Sequence, residues 1–232
     1  MPTKTKLALI AVLMVLALPA VRAEPPMTVD DAGVMERGGL KIEAAWVRDH
    51  KARGPDIALG YGLRDDLELA LNASFGHDHA LTPSTHMRAF GMSAKWLPWV
   101  QQTGWSAGVS VNLGHARVHE RATQHRHSER NLTFMGLATF VTPPGHKLHL
   151  NLGREHLRTP NVRDQITVWG LGCELAFTPA MQLTLEYLGA DTGRPDRAMG
   201  LRLALFEGFK VSTALGRGGG RSFGQVGFAW EF

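Results

Sequence analysis

The chain has 232 residues, of which 20% are charged and 44% hydrophobic, a balance that excludes both a disordered tail and a bundle of membrane helices. One cysteine excludes a disulfide framework and a multi-thiolate zinc site, and the formal charge of +4 permits an anionic partner without naming one. Twenty-six glycines beside six tryptophans and ten phenylalanines lean toward tightly turned β structure.

Lys4 and Lys6 precede an apolar run over residues 7–18, which is followed by Pro19, Ala20, Val21, Arg22 and Ala23. A basic start, a short apolar stretch and small residues at its end describe a secretory signal peptide over residues 1–23. The run is too short for a spanning helix, which needs about 20 apolar residues. Residues 24–38 are too polar to form a membrane strand, and are expected as a periplasmic N-terminal segment and candidate plug.

From there on, apolar side chains recur at every second position, as strands require. Leu40, Ile42, Ala44 and Trp46 form one face of the first segment, and Ile57, Leu59, Tyr61 and Leu63 of the second. Leu67, Leu69, Leu71, Ala73 and Phe75 follow, then Phe90, Met92, Ala94 and Trp96, then Trp105, Ala107, Val109, Val111 and Leu113. The sixth segment, residues 131–141, is less regular, because Thr133, Met135, Leu137 and Thr139 blur its polar face. Leu148, Leu150 and Leu152 restore the pattern against His149 and Asn151, and Trp169, Leu171, Cys173, Leu175 and Phe177 continue it. Leu183, Leu185 and Tyr187 mark the ninth segment, Met199, Leu201, Leu203 and Leu205 the tenth, and Phe209, Val211 and Leu215 the eleventh. Val226, Phe228, Trp230 and Phe232 close the series of twelve.

The alternate face is mostly Gly, Ala, Ser and Asn, which suits the concave inside of a closed barrel, while large apolar residues suit a lipid-facing outside. Strands of about ten residues patterned in this way predict an all-β, transmembrane, antiparallel up-and-down β-barrel of 12 strands over residues 39–232. The connectors read as long at one end (49–54, 77–86, 115–130, 154–164, 190–197, 217–222) and short at the other (64–66, 97–103, 142–146, 178–180, 207–208), as external loops and periplasmic turns would be. The alternating aromatics ending in Phe232 resemble the C-terminal signal through which outer-membrane barrels engage the barrel-assembly machinery.

The opening of the exported chain, from Pro26, Thr28 and Asp30 through Gly38 and Gly39 to Leu40 and Glu43, resembles one family, the outer-membrane proteins labelled for the MetA pathway of phenol degradation. The run from Leu59, Gly60 and Tyr61 through Asp65 and Asp66 to Leu69 is similar to the second hairpin of those proteins. The resemblance covers about the first quarter of the barrel. It implies an outer-membrane channel or transporter for small, aromatic or hydrophobic molecules, and it brings no catalytic residues. The His-rich connectors and the shortness of the chain depart from that family.

By parity the inward charges are Lys41, Glu43, Glu68, Lys95, Glu174, Glu186, Arg202, Lys210 and Glu231, four cations against five carboxylates. Twelve strands lie between filled eight-stranded barrels and open sixteen-stranded porins, so a narrow pore of weak ion selectivity is expected. Nine of the eleven histidines fall in the long connectors. The pairs His77/His79 and His125/His127 are candidate metal ligands, with solvated loop histidines the plainer reading. The Arg-rich connectors suit lipopolysaccharide phosphates as well as solvent.

A nucleic-acid partner is not expected, since no groove-reading element carries the basic residues. No enzyme is expected either: the nearest Ser–His pairing, His127 and Ser128 beside Glu129, has its members on opposite faces of a strand. No cofactor is implied. The sequence therefore predicts a barrel of the bacterial outer membrane for passive uptake of a small-molecule solute. The alternative is a non-conducting structural or binding barrel whose His- and Arg-rich loops hold metal or lipopolysaccharide.

Overall fold

The computed structural model describes residues 24–80 and 82–232, and the expected signal peptide over residues 1–23 lies outside the described residues. Twelve strands follow in order: β1 Leu40–Asp49, β2 Ala52–Arg64, β3 Leu67–Asp78, β4 Thr85–Trp99, β5 Gly104–Glu120, β6 His125–Val141, β7 Lys147–Arg158, β8 Arg163–Thr178, β9 Met181–Ala190, β10 Asp196–Phe206, β11 Phe209–Gly218 and β12 Arg221–Glu231. Each pairs antiparallel with its neighbours in sequence, and β12 returns to β1 from Lys41↔Glu231 to Asp49↔Phe223. The Leu40 and Phe232 backbones complete that seam by exchanging hydrogen bonds of 2.8 and 2.9 Å. Closure leaves no sheet edge, the condition under which strands tolerate a hydrocarbon surround. The twelve-stranded transmembrane barrel read from the alternation is the observed fold.

Side chains alternate across the wall as expected. Trp46, Leu71, Phe90, Leu152, Leu215 and Val226 are all more than half exposed on the outside, where lipid would cover them. At the end that holds both described termini of the barrel, Phe206, Phe209, Trp230 and Phe232 form an outward aromatic cluster with ring centroids 4.8 Å (Phe206–Phe209), 6.4 Å (Phe209–Trp230) and 5.3 Å (Trp230–Phe232) apart. Such a girdle marks a membrane–water interface of a membrane barrel. At the same level the Trp96 indole donates to Asp66 in the β2–β3 turn at 2.9 Å, and this bond, more than the neighbouring Arg64, holds the Asp66 carboxyl below its usual range.

One expectation needs correction. The long connectors are largely strand. β5 and β6 run 17 residues each and stay paired from Gly104↔Val141 out to Glu120↔His125, leaving only residues 121–124 as the link. His77, His86, His115, His119, His125, His127 and His156 therefore sit on strands, and only His50 and His79 of that group lie outside them. The apolar–polar alternation fades where a strand leaves the apolar belt, but backbone pairing does not depend on side-chain polarity and continues. What read as loop length is the projection of paired hairpins, which for β5 and β6 adds roughly 20 Å of chain beyond the ten residues a membrane needs.

Candidate functional site: a lumen crossed by the N-terminal segment

The inward face is small and polar along most strands because another piece of chain lies against it. Residues 24–38 form no strand, and they run inside the barrel, meeting β10, β11 and β12 first and β3 and β2 last. Met27, Val29 and Asp30 are 2% exposed or less. Glycines make the seat: a Cβ at Gly172 would come within 2.7 Å of the Met27 terminal methyl, one at Gly170 within 2.8 Å of Val29 Cγ2, and one at Gly200 within 2.6 Å of Pro26 Cγ. The irregular sixth segment has the same explanation. Met135 and Leu137 point inward and pack with Ala32, Val34 and Leu97, so that part of the lumen wall is apolar because apolar side chains cover it.

The segment carries no regular secondary structure, so its backbone groups need partners from the wall, and the wall supplies them. Glu186 Oε1 accepts from Thr28 N and Val29 N, both at 2.6 Å. Asn151 accepts from Asp30 N at 2.7 Å and donates to Asp30 O at 2.8 Å. Thr139 Oγ1 accepts from Ala32 N at 2.7 Å, and Glu68 Oε2 from Met35 N at 3.2 Å. Arg202 donates to Glu24 O at 2.7 Å and to Pro25 O at 3.0 Å, while Gln225 donates to Pro26 O.

The nine inward charges expected from parity lie on the lumen face of their strands, and most of them converge into ion pairs. Lys41 bridges Glu43 at 3.1 Å and Glu68 at 3.8 Å. Lys95 reaches Asp30 at 2.8 Å and Asp31 at 3.5 Å. Glu174 is met by Arg202 at 3.2 Å, His149 at 3.3 Å and Lys147 at 3.5 Å. Lys210 holds Glu24 at 2.9 Å. Glu231 stays apart at the rim that holds the ends of β1 and β12, with no side-chain partner among the described residues. Parity reading missed His149, fully buried with Nδ1 2.9 Å from Thr139 Oγ1, and it missed the three carboxylates of the segment that complete the lumen pairs. His149 already carried its signal, an inward position opposite Leu148 and Leu150.

The far rim sorts charge by sign across the wall. Asp49, Asp78, Glu129, Glu155 and Asp196 turn inward, where Arg221 binds Asp49 at 3.0 Å and Asp196 at 2.9 Å and Asn131 binds Glu155 at 3.0 Å. The outward face carries direct cross-strand arginine pairs: Arg48↔Arg53, Arg88↔Arg117, Arg130↔Arg158, Arg158↔Arg163 and Arg197↔Arg217. His77 stacks on His86 at 4.3 Å on that same outer face, in register with His119.

The four candidate metal ligands thus separate. His77 is outward, and His79 lies just past the end of β3. His125 and His127 point into the mouth, with Glu120 opposite His125. Ser128 is exposed while its neighbours His127 and Glu129 join at 3.0 Å on the other face, so these residues form no nucleophile–base pair.

A closed, antiparallel, even-numbered barrel with an apolar exterior and a charged lumen is a transmembrane β-barrel. Within that class the chain belongs to the family described as uncharacterised conserved protein UCP029691, whose model matches residues 11–220. No curated protein matches it in sequence. Among solved structures it is similar to the COG4313 outer membrane channel from Pseudomonas putida F1, at a TM-score of 0.61 and 10% identity over 91% of this chain and 100% of that one. The KdgM porin gives 0.60 and 10% over 83% and 99%, and the translocator domain of autotransporter NalP from Neisseria meningitidis gives 0.60 and 12% over 98% of each chain. At such identities the likeness is one of fold.

Proposed function

We propose that the protein is an outer-membrane channel passing small solutes slowly and with weak ion selectivity, and that residues 24–38 act as its constriction. The observation that carries this reading is the pairing inside the lumen. Lys41, Lys95, Arg202 and Lys210 are all engaged by wall or segment carboxylates, so the passage offers a permeating ion little net charge. An unpaired charge in so narrow a site would be costly, and neutral solutes face no such barrier. Uncharged or aromatic solutes are the class we favour, on the resemblance of the opening segment to the MetA-pathway proteins. The channels and porins among the structural neighbours support the same reading. Export through a signal peptide, and engagement of the barrel-assembly machinery by Phe232, belong to it as well.

Single-channel recording in planar bilayers tests the proposal. The intact chain should show a small conductance with near-equal cation and anion permeability. A variant lacking residues 24–37 should conduct several-fold more. Porin-sized conductance in the intact protein would defeat the constriction. The arginine rows favour one partner besides the solute, namely the lipopolysaccharide phosphates of the outer leaflet.

A further inference from the structure

We infer that the mouth of the β5–β6 hairpin is a divalent transition-metal site made by His125, His127 and Glu120. Glu120 and His125 are direct cross-strand partners at the tip of the hairpin, and His127 is the next residue along on the same face. A cross-strand pair and its i+2 neighbour are as close as side chains come on a sheet. Here one ligand atom from each residue lies within 4.8 Å of the other two. The tip is pinned by its own hydrogen bonds, from Thr123 Oγ1 to Glu120 Oε2 at 3.0 Å and from Gln124 Nε2 to Arg121 O at 2.9 Å.

Two details favour a metal over solvated loop side chains. The first is that the Nδ1 atoms of His125 and His127 face each other at 3.3 Å. Two nitrogens bound to one tetrahedral Zn²⁺ at 2.0–2.1 Å are separated by about 3.3 Å, the edge of that tetrahedron. The second is Glu129, which is 4% exposed and accepts from His127 Nε2 at 3.0 Å. A carboxylate can only accept, so the Nε2 of His127 carries its proton and its Nδ1 presents a lone pair to the mouth. A buried carboxylate behind a ligating imidazole is the usual way such a ligand is oriented and made more basic. His125 needs only the Nε2–H tautomer to offer its own Nδ1, so both imidazoles can bind in the neutral form. Two imidazoles and one carboxylate suit Zn²⁺ and its neighbours in the first transition row better than Ca²⁺ or Mg²⁺.

The site stands on geometry at the mouth, independent of whether the lumen conducts. Calorimetry tests it on the full-length barrel, refolded in detergent, stripped with chelator and free of any added histidine tag. Titration with ZnCl₂ should give one equivalent bound at micromolar or tighter affinity, and Co²⁺ should give the visible ligand-field absorption of a tetrahedral site. His125→Ala and His127→Ala should each weaken Zn²⁺ by at least about tenfold, and Glu129→Gln by about 10- to 100-fold through its hold on His127. His77→Ala with His79→Ala should leave affinity unchanged. Binding no tighter than about millimolar overturns the site. So does a His125→Ala, His127→Ala double variant that binds like the native chain, or loss of binding in the His77/His79 variant. A shift in gel mobility on boiling, preserved in each variant, certifies that the barrel has formed.

Discussion

Glu186 and Lys95 show how single side chains hold an irregular segment inside a barrel. One Glu186 oxygen serves two adjacent backbone N–H groups at 2.6 Å, and nothing else among the described residues bonds to either. Glu186→Ala should therefore destabilise the folded protein by about 1–3 kcal/mol, the cost of orphaning the buried Val29 N–H, and should raise conductance as the segment loosens. Glu186→Gln keeps an acceptor oxygen and should lie close to the native chain in both readouts. Lys95→Met removes the cation from Asp30, which is 1% exposed, and should cost about 3–5 kcal/mol because a buried carboxylate is left uncompensated. Denaturant midpoints in detergent measure both. If Lys95→Met is neutral, the Asp30 pair does not anchor the segment.

The inward face of Glu186 and Lys95 was legible in the sequence from the period of two, whereas Asp30 lies on no strand and had no parity to read. The partners of these side chains were not legible. Val29 and Glu186 stand 157 positions apart, and no local pattern announces a bond between an irregular leader and a distant strand. The one trace was negative: Met135 and Leu137 looked out of place on a polar face because their cover was missing from the pattern.

At the scale of the strand, the far-rim rows set Arg against Arg across five direct register pairs, an arrangement that ordinarily destabilises a sheet. The rim carboxylates do not relieve it, for they turn into the lumen. On the proposed reading a polyanion outside the wall relieves it, namely the lipid A phosphates of an outer leaflet. A change of sign follows for the Arg88→Gln, Arg117→Gln double variant. In plain detergent it should be slightly more stable than the native chain, by roughly 0.2–1 kcal/mol, because a repulsion is gone. In bilayers containing lipopolysaccharide it should be the less stable of the two, and less lipid A should copurify with it. The same sign in both media would mean that these arginines face only solvent. The extent of these strands was hidden in the sequence for a related reason: hydropathy reports where the lipid ends, not where backbone pairing ends, so hairpins such as β5–β6 read as loops.

For the whole molecule, the proposed channel raises the question whether residues 24–38 would stay in place while a solute passes. The closed wall has no edge to open, and the segment is tied to it from β12 round to β3. A disulfide decides the matter. A Cβ at Gly170 would lie 3.6 Å from the Val29 Cβ, inside the range of roughly 3.5–4.5 Å that a disulfide bridges. Val29→Cys with Gly170→Cys, in a background where the free Cys173 is changed to Ala, should therefore oxidise and clamp the segment to β8. So many independent ties favour a fixed constriction over a moving gate, since leaving would orphan the donors and charges that now pair. Conductance of the oxidised variant should thus match that of the same variant reduced, and both should stay well below the variant lacking residues 24–37. If oxidation instead abolishes the current and reduction restores it, the segment must leave the wall for passage, and the lumen pairs are a latch rather than a lining.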